Sequence, residues 1–218
     1  MPSSNANPAA QVNFIFRQVP DDVLDAIGAH RGGAYHQDAE ASGVPHESVI
    51  AAVGGDAVAA GQDTVTIGLV QNLAEDKGGY SIMVGDATFE ASAQAPEAGG
   101  ADAAANTFLT VSGADYIIKD ESSHGGSGPN DAWASSELDY VAVNINGWSP
   151  EGGPLVFELH QPGHQVQPDG HQPPDGNYAA GIATAEAHGA DSLSATQTNA
   201  LTVENQFSFV NAIAVVGV

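Results

Sequence analysis

Residues 199–216 read NALTVENQFSFVNAIAVV and divide into three six-residue units, NALTVE, NQFSFV and NAIAVV. Asparagine holds the first position of each unit, and the third and fifth positions are apolar. Because six is a multiple of two, these three positions share one face of an extended chain. The opposite face carries smaller and more polar side chains, such as Ala200, Thr202 and Ser208. This alternation predicts β structure at the C-terminus.

Three arrangements of residues 199–216 satisfy the repeat. One unbroken strand of 18 residues would span about 60 Å and offer a protruding edge to another chain. A hairpin turning at Asn205-Gln206, or near Asn211, would make two ordinary core strands. A solenoid of stacked units is the third arrangement. If the segment serves self-assembly, four of its apolar side chains are predicted to fill a groove on a neighbouring copy: Phe207, Phe209, Ile213 and Val215.

Alternation with a period of two also marks the chain from residue 64 onward. Residues 79–95 (GYSIMVGDATFEASAQA) and 106–119 (NTFLTVSGADYIIK, broken at Gly113) read as strands, and so do residues 138–145 and 155–160. The sequence at 76–79, Asp-Lys-Gly-Gly, predicts a turn. Strands separated by turn signals predict a mainly β chain. We expect a single antiparallel β-sandwich or jelly-roll-like domain over residues 13–218, after a mobile arm at 1–12.

A short helical element is predicted on the N-terminal side. Proline and two acids at residues 20–22 suit a helix start, and Gly28 suits its end. Residues 45–60 predict a second helix with Val49, Ile50 and Val53 on one stripe, although Gly54 and Gly55 weaken that assignment. Loops are predicted at residues 96–105, 122–130 and 161–177, where glycine and proline concentrate.

The charge balance narrows the choice of partners. The chain has 27 Asp+Glu against 4 Lys+Arg, for a formal net charge of −23. This balance excludes nucleic acid and anionic membrane surfaces as natural partners, because both need Lys and Arg. No stretch approaches the length of apolar sequence that inserts in a membrane. A polar surface poor in bases is typical of secreted and surface-assembled proteins, so we expect an extracellular or cell-surface location. Residues 1–11 carry no secretory signal, which leaves the export route open.

Three histidines fall in the Pro-rich segment HQPGHQVQPDGHQPPDGN, residues 160–177. His160, His164 and His171 are candidate ligands for a divalent metal, because imidazole binds zinc, copper and nickel. Their spacing matches no closed zinc motif. A solvated, turn-rich loop and a pH-sensitive contact are the alternatives. We expect no cofactor apart from such a metal.

Aromatic residues around the strand at 138–145 suggest a second binding surface. Trp133, Trp148 and Tyr140 are candidate ligand-binding residues, since aromatic faces stack on carbohydrate rings. The alternative is that they pack in the core with a polar tip at its edge.

Catalytic motifs are missing from the sequence. There is no G-x-S-x-G elbow, no phosphate-binding loop and no dinucleotide fingerprint. With 0 cysteines the chain has no thiol nucleophile. Glu137 and Asp139 alternate on one strand face, where two surface acids are the plainer interpretation. The sequence favours a non-catalytic structural or adhesive protein, of the fibre, coat or surface-layer type, that forms homo-oligomers through strand edges. The alternatives are a secreted carbohydrate- or metal-binding protein and a hydrolase with dispersed carboxylates.

Overall fold

The computed structural model of the protein describes residues 48–98, 100–145, 153–159 and 176–218. Within these ranges the chain is mainly β, as predicted, and contains no helix. The ten strands are β1 (Ile50–Ala60), β2 (Asp63–Asp76), β3 (Tyr80–Gln94), β4 (Asp102–Ser112), β5 (Tyr116–Ser127), β6 (Asp131–Ile145), β7 (Leu155–Leu159), β8 (Asn177–His188), β9 (Leu193–Val203) and β10 (Phe207–Gly217). Nine of them have 11 to 15 residues, about twice the usual strand length.

The strands form two sheets. One has four strands in the order β4-β1-β10-β9, and the other has six in the order β7-β5-β6-β3-β2-β8. Every pair in the four-stranded sheet is antiparallel. In the six-stranded sheet, β7 runs parallel to β5 and β8 runs parallel to β2. The expectation of purely antiparallel pairing is therefore wrong for the larger sheet, because neither β7 nor β8 follows its neighbour through a short hairpin turn.

The two sheets pack face to face around one core. β4 lies over β6, β1 over β3, and β10 over β2 and β8. The four-stranded sheet contributes mostly alanine and valine to the core, and the six-stranded sheet contributes the large side chains Phe89, Met83 and Tyr140. Thr107 and Ser136 link the sheets through a hydroxyl pair 2.9 Å apart. The core is therefore built by matching small residues on one sheet with large ones on the other.

Glycines in β1 and β2 make room for Phe89. A Cβ on Gly55 would lie 2.2 Å from the Asn106 carbonyl oxygen and 2.6 Å from the Phe89 ring, and a Cβ on Gly68 would lie 2.6 Å from the same ring. The helix predicted at residues 45–60 is wrong over Ile50–Ala60, which is β1. Gly55, one of the two glycines that weakened the helix assignment, is needed for close contact between the sheets.

The C-terminal repeat is a hairpin of β9 and β10, which confirms the second of the three arrangements. The strands pair antiparallel, with Asn211 opposite Asn199 and Phe209 opposite Leu201. The turn between them holds Asn205 at a φ of 57°, a left-handed conformation that asparagine tolerates better than most residues. The Gln206 amide donates to the Val203 carbonyl at 3.0 Å. Neither an unbroken strand nor a solenoid is formed here.

The turn predictions have mixed outcomes. The turn at residues 76–79 is confirmed: Gly78 has a φ of 78° and its amide donates to Asp76 Oδ1 at 2.7 Å. The break at Gly113 separates β4 from β5. The loop predicted at residues 122–130 is wrong in its first part, because β5 continues to Ser127. The predicted loop at 96–105 is likewise shortened by β4, which begins at Asp102.

Several predictions concern residues outside the described ranges. They are the arm at 1–12, the helix beginning at residue 20, and most of the segment 161–177. None of the described segments is an apolar helix of the length needed to cross a membrane.

Candidate functional site

Both sheets end at the same flank of the molecule. β9 is the last strand of the four-stranded sheet, β8 is the last strand of the six-stranded sheet, and the two lie against each other. A Cβ on Gly181 would come within 2.6 Å of Thr198 Cγ2 and 2.7 Å of Val210 Cγ2. The glycine therefore lets the middle of β9 approach the middle of β8. We call this surface, made of β8 and β9, the edge flank.

β9 is exposed along its length. Every residue from Leu193 to Thr202 is exposed, and Val203 is half-buried. Its sequence, LSATQTNALTV, has no charged residue and no proline. Among the described strands only β10 pairs with it, so within the described ranges one row of its N–H and C=O groups has no partner strand. Proteins usually guard such an edge with charge, proline or a bulge, so β9 is an unguarded edge.

The edge flank also carries most of the strongly exposed apolar side chains among the described residues. Five large hydrophobic residues in those ranges are at least half exposed, and four belong to β8 or β9: Tyr178 at 50%, Ile182 at 61%, Leu193 at 50% and Leu201 at 52%. The fifth, Val156, lies on β7. This concentration marks the edge flank as the surface most favoured for burial against a partner.

The four residues predicted for assembly lie on the outer face of β10. Phe207, Phe209, Ile213 and Val215 are half-buried, whereas their neighbours Ser208, Val210, Ala212, Ala214 and Val216 face the core and are fully buried. β10 pairs with β1 on one side and β9 on the other, so its backbone has no free edge. Whether these side chains take part in assembly stays a prediction.

The candidate aromatic site is not brought together. Trp133 and Tyr140 are seven positions apart on β6, so they point to opposite sides of the sheet. Tyr140 is fully buried and its hydroxyl donates to Asn72 Oδ1. Asn72 Nδ2 in turn donates to the carbonyl oxygens of Ala51 at 3.2 Å and Ala214 at 3.0 Å, on the other sheet. Tyr140 therefore helps to join the two sheets, and Trp148 lies outside the described residues.

The predicted metal ligands His160, His164 and His171 also lie outside the described residues. In the part of the chain that is described, no three acidic or imidazole side chains converge to hold a metal ion. Metal binding by the histidine segment stays a prediction.

A row of carboxylates crosses the outer face of the six-stranded sheet. Asp120 on β5 lies opposite Asp139 on β6, and Asp139 lies opposite Asp86 on β3. Opposed side chains in antiparallel strands are about 5 Å apart. We call these three residues the aspartate row. Glu137, two positions before Asp139, points to the same face, as its alternation predicted.

Burial and repulsion between carboxylates make Asp86 and Asp139 hard to ionise. Burial raises the pKa of Asp86 to about 7, with the Asp139 carboxylate as the second cause. Burial raises the pKa of Asp139 to about 6, helped by Glu137 and Asp120. Both lysines of the described residues are engaged elsewhere, Lys77 with Glu75 and Lys119 with Glu158 at 3.0 Å. Asp86 and Asp139 thus titrate near neutral pH, and neither of the two described lysines pairs with them.

A groove of about 350 Å³ opens at the flank opposite the edge flank. It forms where β5 and β7 extend past β4, the last strand of the smaller sheet on that side. Its apolar lining comes from residues such as Phe108, Ile117 and Val156, and its charged groups are Lys119 and Glu121. Lys119 is already paired with Glu158, so the groove presents no unpaired cation for an acidic ligand.

Comparison with known proteins found no matching family model, no similar curated protein and no similar solved structure. The geometry of the edge flank, the aspartate row and the groove is therefore the basis for a functional proposal.

Proposed function

We propose that this chain is a non-catalytic structural or adhesive protein whose copies assemble through free strand edges, as subunits of a fibre, coat or surface layer do. The observation that carries the proposal is β9, an edge strand of 11 residues without charge, exposed from Leu193 to Thr202. An added strand would supply partners for its free N–H and C=O groups and would cover side chains beside it. We place this assembly outside the cell, because a surface of small polar residues with few lysines and arginines is typical of secreted and surface-assembled proteins.

Charge supports β9 as the contact surface. The chain carries a formal net charge of −23, so most surfaces of two copies repel each other. The interval between Asp191 and Glu204 holds no acid. Two copies can therefore approach along β9 without placing an acid of this strand at the contact. The groove beside β4 and the outer face of β10 are secondary candidates for later contacts in a larger assembly.

Blocking the edge tests the proposal. Gln197→Lys with Asn199→Lys places two charges on exposed outer positions of β9, a device by which natural edge strands avoid pairing. Ala104→Lys with Thr110→Lys adds the same charge to exposed outer positions of β4 and is the matched control. We expect light scattering to show that the β9 variant dissociates and the β4 variant does not. Equal assembly of both variants with the unmodified protein would exclude β9 as the contact.

The binding alternatives remain predictions with their own test. Tryptophan fluorescence during titration with zinc or with oligosaccharides would report a ligand near Trp133 or Trp148. Zinc calorimetry with His160→Ala/His164→Ala isolates the histidine segment, because an unchanged isotherm would remove those residues as ligands.

A further inference from the structure

The sequence of β9 reads nearly the same in both directions. Around Thr198, residues at equal distances before and after it have the same chemical character or similar size. The five pairs are Leu193 with Val203, Ser194 with Thr202, Ala195 with Leu201, Thr196 with Ala200, and Gln197 with Asn199. In an antiparallel self-pairing centred on Thr198, each residue lies opposite its mirror position. The leucines then meet Val203 and Ala195, the amides meet each other, and Thr196 meets the small Ala200.

We infer that two copies pair β9 with β9, antiparallel, around a two-fold axis at Thr198, which joins their small sheets into one sheet of eight strands. This inference rests on the proposed function and specifies its partner as a second copy and its register as symmetric. The same surface patch serves both subunits, as a two-fold interface requires.

The charges at the ends of β9 do not oppose this register. Asp191 falls opposite Asn205 of the partner subunit, and Glu204 falls opposite Ser192 of the partner subunit. No acid is thereby placed directly across from another acid along the paired strands. A shift in register would lose the match of side chains, because every mirror pair would then be broken.

The second sheet supports the same axis. Thr198 packs over Gly181, near the middle of β8. An axis at Thr198 therefore brings β8, the last described strand of the larger sheet, towards β8 of the partner subunit. Pairing centred on Gly181 would set Ile182 beside Ala180 of the partner subunit and Tyr178 beside Thr184 of the partner subunit. The two exposed large apolar side chains of this strand would gain neighbours, and the larger sheet would also continue across the axis.

A head-to-tail arrangement fits the layers less well. In that arrangement, β9 of one copy would pair with β4 of the next copy and continue its small sheet. Because β4 lies over β6 and β5 is the next strand beyond β6, the added β9 would lie above β5 of that copy. Since β8 lies directly against β9 in each copy, β8 of the added copy would enter the layer that β5 and β7 of the other copy already occupy. The two-fold pairing avoids this clash. It also closes on itself, so this edge makes a dimer, and larger assemblies would be built from dimers through other surfaces.

The absence of cysteine from the sequence permits a direct test of the register. Thr198→Cys would place the two introduced thiols opposite each other, within the Cα separation of about 7 Å that a disulfide requires. Ser194→Cys is the control: its two copies would be eight residues out of register, about 27 Å apart. Each variant is oxidised with copper phenanthroline and run on a non-reducing gel. We expect a covalent dimer for most chains of the first variant and little for the second.

The outcomes separate the inference from the proposed function. If neither variant crosslinks while light scattering shows the unmodified protein assembled, the two-fold register is wrong and self-assembly stands. If the unmodified protein is monomeric at every concentration, both fail. Equal crosslinking of the two variants would mean random collision and would also overturn the register.

Charge pairs give a second measurement that needs no cysteine. Gln197→Glu/Asn199→Glu sets two pairs of like charges face to face in this register, and Gln197→Lys/Asn199→Glu sets two pairs of opposite charges. We expect the first variant to raise the dimer dissociation constant about tenfold relative to the second. Identical constants would show that the two positions do not face each other.

Discussion

The surroundings of Asp86 are a feature of single residues that the sequence did not predict. Its neighbours in the aspartate row, Asp120 and Asp139, are distant in the chain and meet only because β3, β6 and β5 pair in one register. The sequence indicated that Glu137 and Asp139 share a face, since alternation within one strand is local. No local pattern specifies which residues of different strands stand opposite each other.

The raised pKa values of Asp86 and Asp139 make stability depend on pH. Burial raises the pKa of Asp86 from 3.8 to about 7, so the folded chain holds a proton that the unfolded chain releases. The free energy of unfolding must therefore fall as the pH rises from about 4 to about 7. Asp86→Asn removes the contribution of Asp86 to this dependence and leaves that of Asp139. We expect the substitution to stabilise the fold by about 2 kcal/mol at pH 8 and hardly at pH 4.

Urea denaturation at the two pH values measures the effect. Glu97→Gln, at an exposed position, is the control and should change neither midpoint. The same gain from Asp86→Asn at both pH values would show that ionisation of this carboxylate does not weaken the fold.

Asn72 and Tyr140 form the buried link between the sheets. Asn72→Ala leaves the Tyr140 hydroxyl and the carbonyls of Ala51 and Ala214 without this partner, and we expect a loss of about 3 kcal/mol. Tyr140→Phe removes one hydroxyl and leaves one Asn72 oxygen unpaired, at a cost of about 1 kcal/mol. Thermal unfolding followed by circular dichroism measures both. A larger loss from Tyr140→Phe than from Asn72→Ala would contradict the assignment of Asn72 as the link.

At the scale of elements, the strands were predictable where alternation was strong, as over β3 and β4. β1 was assigned to a helix because Val49, Ile50 and Val53 form a helical stripe, although Gly54 and Gly55 weakened that assignment. Its real constraint is the space that Phe89 needs beside Gly55, which is a contact between distant segments. The hairpin at the C-terminus was one of three arrangements that the repeat allowed, because alternation gives the faces of a strand but not its length.

Deletion of residues 205–218 tests the role of β10. This strand lies between β1 and β9 in the small sheet. Four of its side chains are fully buried in the core: Val210, Ala212, Ala214 and Val216. We expect the truncated chain to lose its cooperative unfolding transition and to aggregate, since a central strand and its core residues are gone. A soluble, folded monomer would show that β10 is an accessory assembly strand.

At the scale of the whole molecule, the net charge of −23 opposes any contact between copies. Salt screens this repulsion, with a Debye length of about 10 Å at 0.1 M. We therefore expect the dissociation constant of the assembly to fall as the sodium chloride concentration rises from about 20 to about 300 mM. These two concentrations are roughly one fifth of 0.1 M and three times 0.1 M. Sedimentation velocity at several protein concentrations measures it. Dissociation on adding salt would mean that ion pairs hold the copies together.

The mass of the unmodified protein in solution tests the central claim most directly. One chain has a mass of 22.0 kDa, and light scattering coupled to size exclusion, in moderate salt, reads the mass of the particle. We expect twice that mass or a larger even multiple, with negative-stain images showing particles of regular shape. A mass of 22.0 kDa at every protein and salt concentration would contradict self-assembly through the edge flank.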